Sequence, residues 1–250
     1  MTIDAAANVE HDTTAPWTEW STLAARVNRM WDPENTPHHS IIGLTGSGKS
    51  YLGINGIIRP MCPYDRVLIV DTKGDDPIVS NAGKGVKELP TPAWKTQEER
   101  KREDQWWRLT LSDNYREARN QVGTALQQIY KEGNWVIFFD EIRDITDPPG
   151  RTASGLGLLP QVDRIYRKGR SKHISIVAAT QAPRWVPPSF YDQSSFAWIG
   201  RLRDEIRQKR LLEIGGMSKK ELPILASLQR RQWLLAADNG EFFARSVVTI

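Results

Sequence analysis

Cysteine is nearly missing from this chain: Cys62 is the only one in 250 residues. A single thiol cannot close an internal disulfide or anchor a cysteine-based zinc site. Long apolar runs are missing too, and none approaches the roughly 18 residues that cross a bilayer. No membrane span is therefore expected. Met1 to Asp12 lack the basic start and apolar middle of a secretory signal. A dominant charge is also lacking, because 34 basic and 30 acidic residues leave a net +4. That balance tolerates a polyanionic partner without demanding one. The adjacent His38 and His39 diverge in a strand, so a metal site there is not expected. What remains, 39% hydrophobic and 26% charged residues, describes a globular protein. Its 250 residues are enough for one large α/β domain or two small ones, and with no internal repeat or clear linker one domain is expected. One local absence is informative: Arg164 to Arg184 contains Arg164, Arg167, Lys168, Arg170, Lys172 and Arg184 but no acid.

The most specific stretch is Gly43-Leu44-Thr45-Gly46-Ser47-Gly48-Lys49-Ser50, followed by Tyr51. It matches the phosphate-loop pattern G-x-x-x-x-G-K-[ST] at every fixed position. Glycines let the backbone wrap a phosphate without Cβ clashes, and the N–H groups of the loop and next helix point at the anion. Lys49 is expected to reach the β- and γ-phosphates of ATP, and the Ser50 hydroxyl to ligate Mg²⁺. A short apolar run, His39 to Ile42, precedes the loop. Tyr51 to Ile58 is expected to continue as a helix that Pro60 stops.

Residues 1 to 16 are small and polar and are expected to form a disordered arm. From Trp17 to Trp31 the apolar residues 17, 20, 23, 24, 27, 30 and 31 share one helical face. This predicts a helix docked on the core, so that 1–36 is an arm plus helix and 37–250 the main domain. Arg66 to Asp71 reads as a buried parallel strand ending in the polar turn Asp71-Thr72-Lys73-Gly74-Asp75-Asp76. Glu98 to Asp104 reads as a solvated helix face, and Trp106 to Leu111 as a short strand. A helix capped by Asp113 or Asn114 should run to about Lys131. Residues 144 to 158 read as a mobile loop, and Leu159 to Lys168 as a helix. Phe196 to Gly200 is a further strand, and helices follow over Arg203 to Ile214 and Leu222 to Leu228. Gln232 to Ala237 and Glu241 to Val248 flank Asp238-Asn239-Gly240, a hairpin signal.

Asn134 to Glu141 is an apolar strand ending in two carboxylates. Unpaired acids are costly to bury, so Asp140 and Glu141 belong at the sheet edge where ligands bind. Asp140 is placed to complete the Mg²⁺ shell and Glu141 to polarise the attacking water. A helix cap without chemistry is the bland alternative. Ile174 to Thr180 is another buried strand, and its end brings Gln181 toward the phosphate loop as a candidate sensor.

These pieces, in this order, resemble the FtsK/HerA superfamily of P-loop ATPases. The phosphate loop comes first, then Val70-Asp71-Thr72-Lys73-Gly74, then Asp140-Glu141, then Ala179-Thr180-Gln181 with Gly169-Arg170-Ser171 before it. The resemblance covers about residues 39 to 250. It implies a three-layer sandwich with a mostly parallel sheet and an added strand between the two nucleotide motifs. It implies ATP hydrolysis with Mg²⁺, Glu141 as catalytic base and Gln181 as sensor. It further implies a ring, often a hexamer, with Arg170 or Arg167 reaching across the subunit boundary. Lys73, Lys84, Lys87, Arg151 and Arg164 are candidates to face double-stranded DNA in the pore. The short chain leaves no room for a winged-helix reader, so the likeness is strongest to viral genome-packaging ATPases. These act at a capsid portal or vertex, in the host cytoplasm or with the virion. A plasmid or conjugation DNA-transfer ATPase is the neighbouring reading. A P-loop small-molecule kinase and a protein-assembly ATPase are the more distant ones.

Overall fold

The computed structural model describes residues 17–31, 36–62, 66–74, 76–80, 87–88, 106–151, 154–202, 204–214, 219, 222–237 and 243–247. The arm 1–16, the charged run 98–104, Lys84 and the hairpin turn 238–240 lie outside them. The strands are β1 His38–Ile42, β2 Val67–Asp71, β3 Lys87–Glu88, β4 Trp106–Thr110, β5 Trp135–Phe139, β6 Ile174–Thr180, β7 Ser194–Ile199, β8 Gln232–Ala237 and β9 Phe243–Val247. They form one sheet in the order β3-β4-β2-β5-β6-β1-β7-β8-β9. All pairings from β3 to β7 are parallel. Only β7–β8 and β8–β9 are antiparallel, the latter being the expected hairpin.

Parallel strands buried on both faces should be apolar at nearly every position, and the fully buried β2, β5 and β6 largely are. In β5, Trp135, Ile137 and Phe139 enter one core while Val136 and Phe138 enter the other. The alternation is the strand's period of two. Helices α4 (Tyr115–Glu132) and α6 (Leu159–Lys168) cover the first face, through Val122, Leu126, Ile129, Val162 and Ile165. The second face is covered by α1 (Trp20–Met30) and α2 (residues 49–61). Three layers result, as a P-loop NTPase sandwich requires.

Helix α1 starts later than its pattern, at Trp20 rather than Trp17. It is spent on its own core: Leu23 and Val27 are buried, Asn28 Nδ2 donates to the Met61 carbonyl at 2.8 Å, and Trp20 packs on Trp198 with centroids 5.6 Å apart. Asn114 caps α4 by accepting from Arg116 N–H and Glu117 N–H.

Two expectations need correction. Pro60 does not stop α2, which runs as Lys49–Tyr51, a π-helical Leu52–Ile58 and Arg59–Met61. Proline breaks an α-helix because its ring meets the carbonyl four residues back. Here the preceding turns bond five residues back, Arg59 N–H to the Ile54 carbonyl, and the wider spacing relieves that contact. Residues 144–151 and 154–158 are also not a loose loop. Helix α5 (Ile142–Thr146) occupies the start. Beyond it, Leu156, Gly157 and Leu158 N–H groups bond the carbonyls of Asp144, Asp147 and Ile145. Leu156 and Leu158 are buried, an anchor the Gly-rich composition hid.

Candidate nucleotide site

Parallel strands bring their C-terminal ends to one edge, and four of those ends meet here. β6 lies between β1 and β5, so the sensor strand separates the phosphate loop from the Asp140-Glu141 strand. The loop leaves β1 with Gly43 N–H bonded to the Thr180 carbonyl at 3.2 Å. Gly46 and Gly48 take φ of +75° and +96°, the left-handed region that side chains disfavour. Helix α2 then lies hard against β5. A Cβ on Gly53 would sit 2.2 Å from the Phe138 ring, so only glycine lets the helix start this close to the sheet.

The side chains interlock across these elements. Ser50 Oγ lies 2.6 Å from Asp140 Oδ1 and 2.8 Å from Asp76 Oδ2. Asp140 is fully buried, and its second oxygen accepts from Lys73 Nζ at 2.6 Å. Burial alone would depress Lys73, but the Asp140 charge and hydrogen bond outweigh it and raise its pKa. Lys49 Nζ donates to the Leu44 carbonyl at 3.0 Å, and burial lowers its pKa against the pull of Glu141. Glu141 is raised by burial, although both its oxygens accept bonds: from Thr180 Oγ1 at 2.8 Å and from Gln181 N–H at 3.0 Å. The Gln181 side chain meets the Thr45 hydroxyl, tying the β6 terminus to the phosphate loop. A cavity of about 310 Å³ opens over these groups, lined by Thr45, Gly46, Gly48, Lys49, Ser50 and Gln181.

An oxygen-only set suits a hard cation such as Mg²⁺, and Ser50 with Asp140 fits that need, with Asp76 alongside. Among the described residues no group of three or more acidic, histidine or cysteine side chains could hold a metal without help. The remaining positions fall to phosphate oxygens and water, which is how Mg²⁺ is commonly held.

Four residues in or beside this site carry no role expected from the sequence, or a different one. Lys73, a candidate for the DNA pore, is instead bonded to Asp140. Asp76 reads from sequence only as part of a polar turn. Arg230 lines the cavity from the turn before β8, and Arg231 beside it donates N–H to the Ser47 carbonyl at 3.2 Å. Arg231 holds φ +64°, and its guanidinium lies 5.6 Å from the Tyr51 ring centroid. An Asp-x-Lys after a buried strand could have signalled Lys73. Nothing local could have signalled Arg230, because antiparallel β8 returns it from far along the chain. Arg170 is not brought to its own phosphate loop. It precedes β6, at the other edge, and donates to the Gln193 carbonyl at 2.9 Å and to Ser195 Oγ at 3.2 Å.

This arrangement is the P-loop NTPase fold of the type with an added strand between the nucleotide motifs. Solved structures share it. The genome-packaging NTPase B204 of Sulfolobus turreted icosahedral virus 2, in complex with sulfate, superposes with a TM-score of 0.62 at 15% identity, over 86% of this chain and 97% of that one. VirB4 of Thermoanaerobacter pseudethanolicus gives 0.62 at 11% identity, over 87% and 91%. The pCW3 conjugation coupling protein TcpA gives 0.52 at 14%, over 86% and 60%. No family model matches the sequence. No curated protein matches it either.

Proposed function

We propose that this chain is an ATP-hydrolysing translocase of double-stranded DNA, of the genome-packaging kind, working as a ring. The observation that carries the reading is that Ser50 and Gln181, which line one cavity beside the phosphate loop, are hydrogen-bonded to Asp140 and Glu141 respectively. The fold shared with B204 supports packaging, and it does so across almost the whole of both chains.

Residue roles follow from chemistry. The phosphate-loop N–H groups and Lys49 bind the triphosphate, whose charge offsets the cost of burying the ammonium. Ser50 and Asp140 would hold Mg²⁺, which would neutralise charge at the transferring phosphoryl group. Glu141 orients a water and takes its proton as the water oxygen bonds to phosphorus and ADP leaves. Thr180 and the Gln181 N–H fix that carboxylate. Gln181 reports the γ-phosphate through Thr45. Arg170 serves a neighbouring subunit, where a guanidinium in trans is worth about 10³- to 10⁵-fold in rate.

The joined Asp140–Glu141–Gln181 group favours water over a small-molecule acceptor, against the kinase reading. The test is ATP turnover with and without duplex DNA, by an assembled ring. Strong stimulation is expected, and equal turnover in both conditions refutes translocation. The fold shared with the conjugation coupling protein TcpA keeps a conjugation-type motor as the second reading. Co-purification with a capsid vertex protein favours packaging over it. No helix among the described residues is long and apolar enough to cross a membrane, and we place the motor in the host cytoplasm or with the virion.

A further inference from the structure

Large side chains exposed on this surface include Trp17, Leu159, Ile206 and Trp185. Trp185 differs in its company. Its indole is 41% exposed, and three guanidinium groups surround it: Arg151 at 4.9 Å, Arg184 at 5.1 Å and Arg143 at 5.7 Å from the ring centroid. Among the described residues no other ring gathers three. Only Arg143 has an ion-pair partner there, Asp147 at 2.9 Å. Arg151 and Arg184 are exposed and have none among the described residues.

Three like charges held within 6 Å of one ring repel each other. The face of an aromatic ring offsets part of that. What completes the balance is a polyanion with closely spaced charges. Duplex DNA has one charge per roughly 1.7 Å of axis, and a planar guanidinium fork matches phosphate oxygens.

The patch is also mounted on the elements that directly follow the site residues. Arg143 sits on α5, directly after Asp140-Glu141. Arg184 and Trp185 lie in a 3₁₀ turn, Pro183–Trp185, just beyond Gln181. Glu141 bonds Thr180 and Gln181, so the two mounts are tied together at Glu141, beside the phosphate loop.

We infer that Trp185 with Arg143, Arg151 and Arg184 is the surface that grips the duplex phosphate backbone, in step with the nucleotide. This rests on the DNA reading of the previous section. The test is binding of a labelled duplex to the full chain with a non-hydrolysed ATP analogue, between 50 and 200 mM salt. Each phosphate contact adds about 0.9 to the slope of log affinity against log salt. Arg151→Ala/Arg184→Ala should flatten that slope by about 1.8 and weaken binding at least tenfold. The affinity for the analogue should not change. Trp185→Ala should lose part of the binding and Trp185→Phe restore it. If the wild type binds DNA and the double variant matches it, the inference falls while the DNA reading stands. If the wild type shows no salt-dependent duplex binding, both fall. If the double variant instead breaks the oligomer, as seen by mass photometry, the patch is a subunit contact and the inference falls.

Discussion

The two ends of β1 bury polar groups in opposite ways. At its start, His38 and His39 are fully buried and neutral. Burial, with Arg170 nearby for His38, pushes both down to about 3. His38 accepts from Ile176 N–H at 3.0 Å on Nδ1 and reaches the Tyr166 carbonyl at 3.1 Å on Nε2, while His39 accepts from Trp198 Nε1 at 3.2 Å. Just past the other end of the strand the chain enters a site where Lys49, Asp140 and Glu141 are all buried, and burial works against the charge of Lys49 and Glu141. One edge uses buried polarity to align strands. The other keeps charge out of water for a ligand that will complete it, which is where perturbed groups gather in functional sites.

Glu141→Gln breaks that contrast most sharply, since it removes the proton acceptor while keeping size and one of the two accepted hydrogen bonds. Turnover should fall by about 10²- to 10⁴-fold, the range for losing a general base, with ATP affinity retained. Single-turnover hydrolysis beside equilibrium binding reads both. A variant that hydrolyses ATP at the normal rate removes Glu141 from the mechanism.

Arg170 is the residue the contrast must explain, because the trans-finger role assigns chemistry to the quiet edge. Arg170→Ala subunits mixed into wild-type rings should depress turnover more steeply than their share. If Arg170 only fixes the β6–β7 connection, its loss instead leaves the Gln193 carbonyl unpaired. That should cost about 1–3 kcal/mol of stability and reduce mixed-ring activity in simple proportion.

The contrast also marks how far the sequence could be read. β2, β5 and β6 showed themselves as apolar runs ending in polar residues and β1 as a short run entering the phosphate loop, so these four were legible with their loops. By contrast β3, Lys87–Glu88, offered no apolar run. The phosphate loop, Asp140, Glu141 and Gln181 were legible because chemistry fixes their place at strand ends. The continuation of α2 through Pro60 was not, because hydrogen-bond spacing within a helix leaves no mark in composition. Lys73 was misplaced because a lysine in a polar turn reads as surface. Only a carboxylate 67 positions later in the chain gives it a partner.

Buried neutral histidines predict an acid-side loss of stability. The unfolded chain takes up protons below about pH 6.5, and the folded chain refuses them until about 3. Stability contributed above pH 6.5 is therefore lost as pH falls through that window. It comes to about 2 kcal/mol per histidine by pH 5. Asp71, Asp144 and Glu141, raised by burial, push the other way at lower pH. His38→Gln should make the stability slope between pH 6 and 5 shallower by about 1.4 kcal/mol per pH unit. Urea midpoints at pH 5, 6 and 7 measure it, and an unchanged slope means that His38 is charged in the fold.

The smallest expected effect concerns the antiparallel strand that reaches back to the loop. Arg230 lines the cavity, while Arg231 pins the same turn to Ser47 and shelters Gly48, where an added Cβ would lie 3.3 Å from Arg231 Cγ. A cation on that wall should favour a triphosphate over a monophosphate. Arg230→Ala should weaken binding of an ATP analogue about tenfold, a charged hydrogen bond discounted for solvent, and weaken AMP less. Arg231→Gly keeps the left-handed backbone and relieves its strain, so folding should be kept or improved while the guanidinium over Tyr51 is lost. Titration of a fluorescent nucleotide separates the two. Equal losses for ATP and AMP in Arg230→Ala would mean that the turn only supports the loop and that its charge does not act on phosphate.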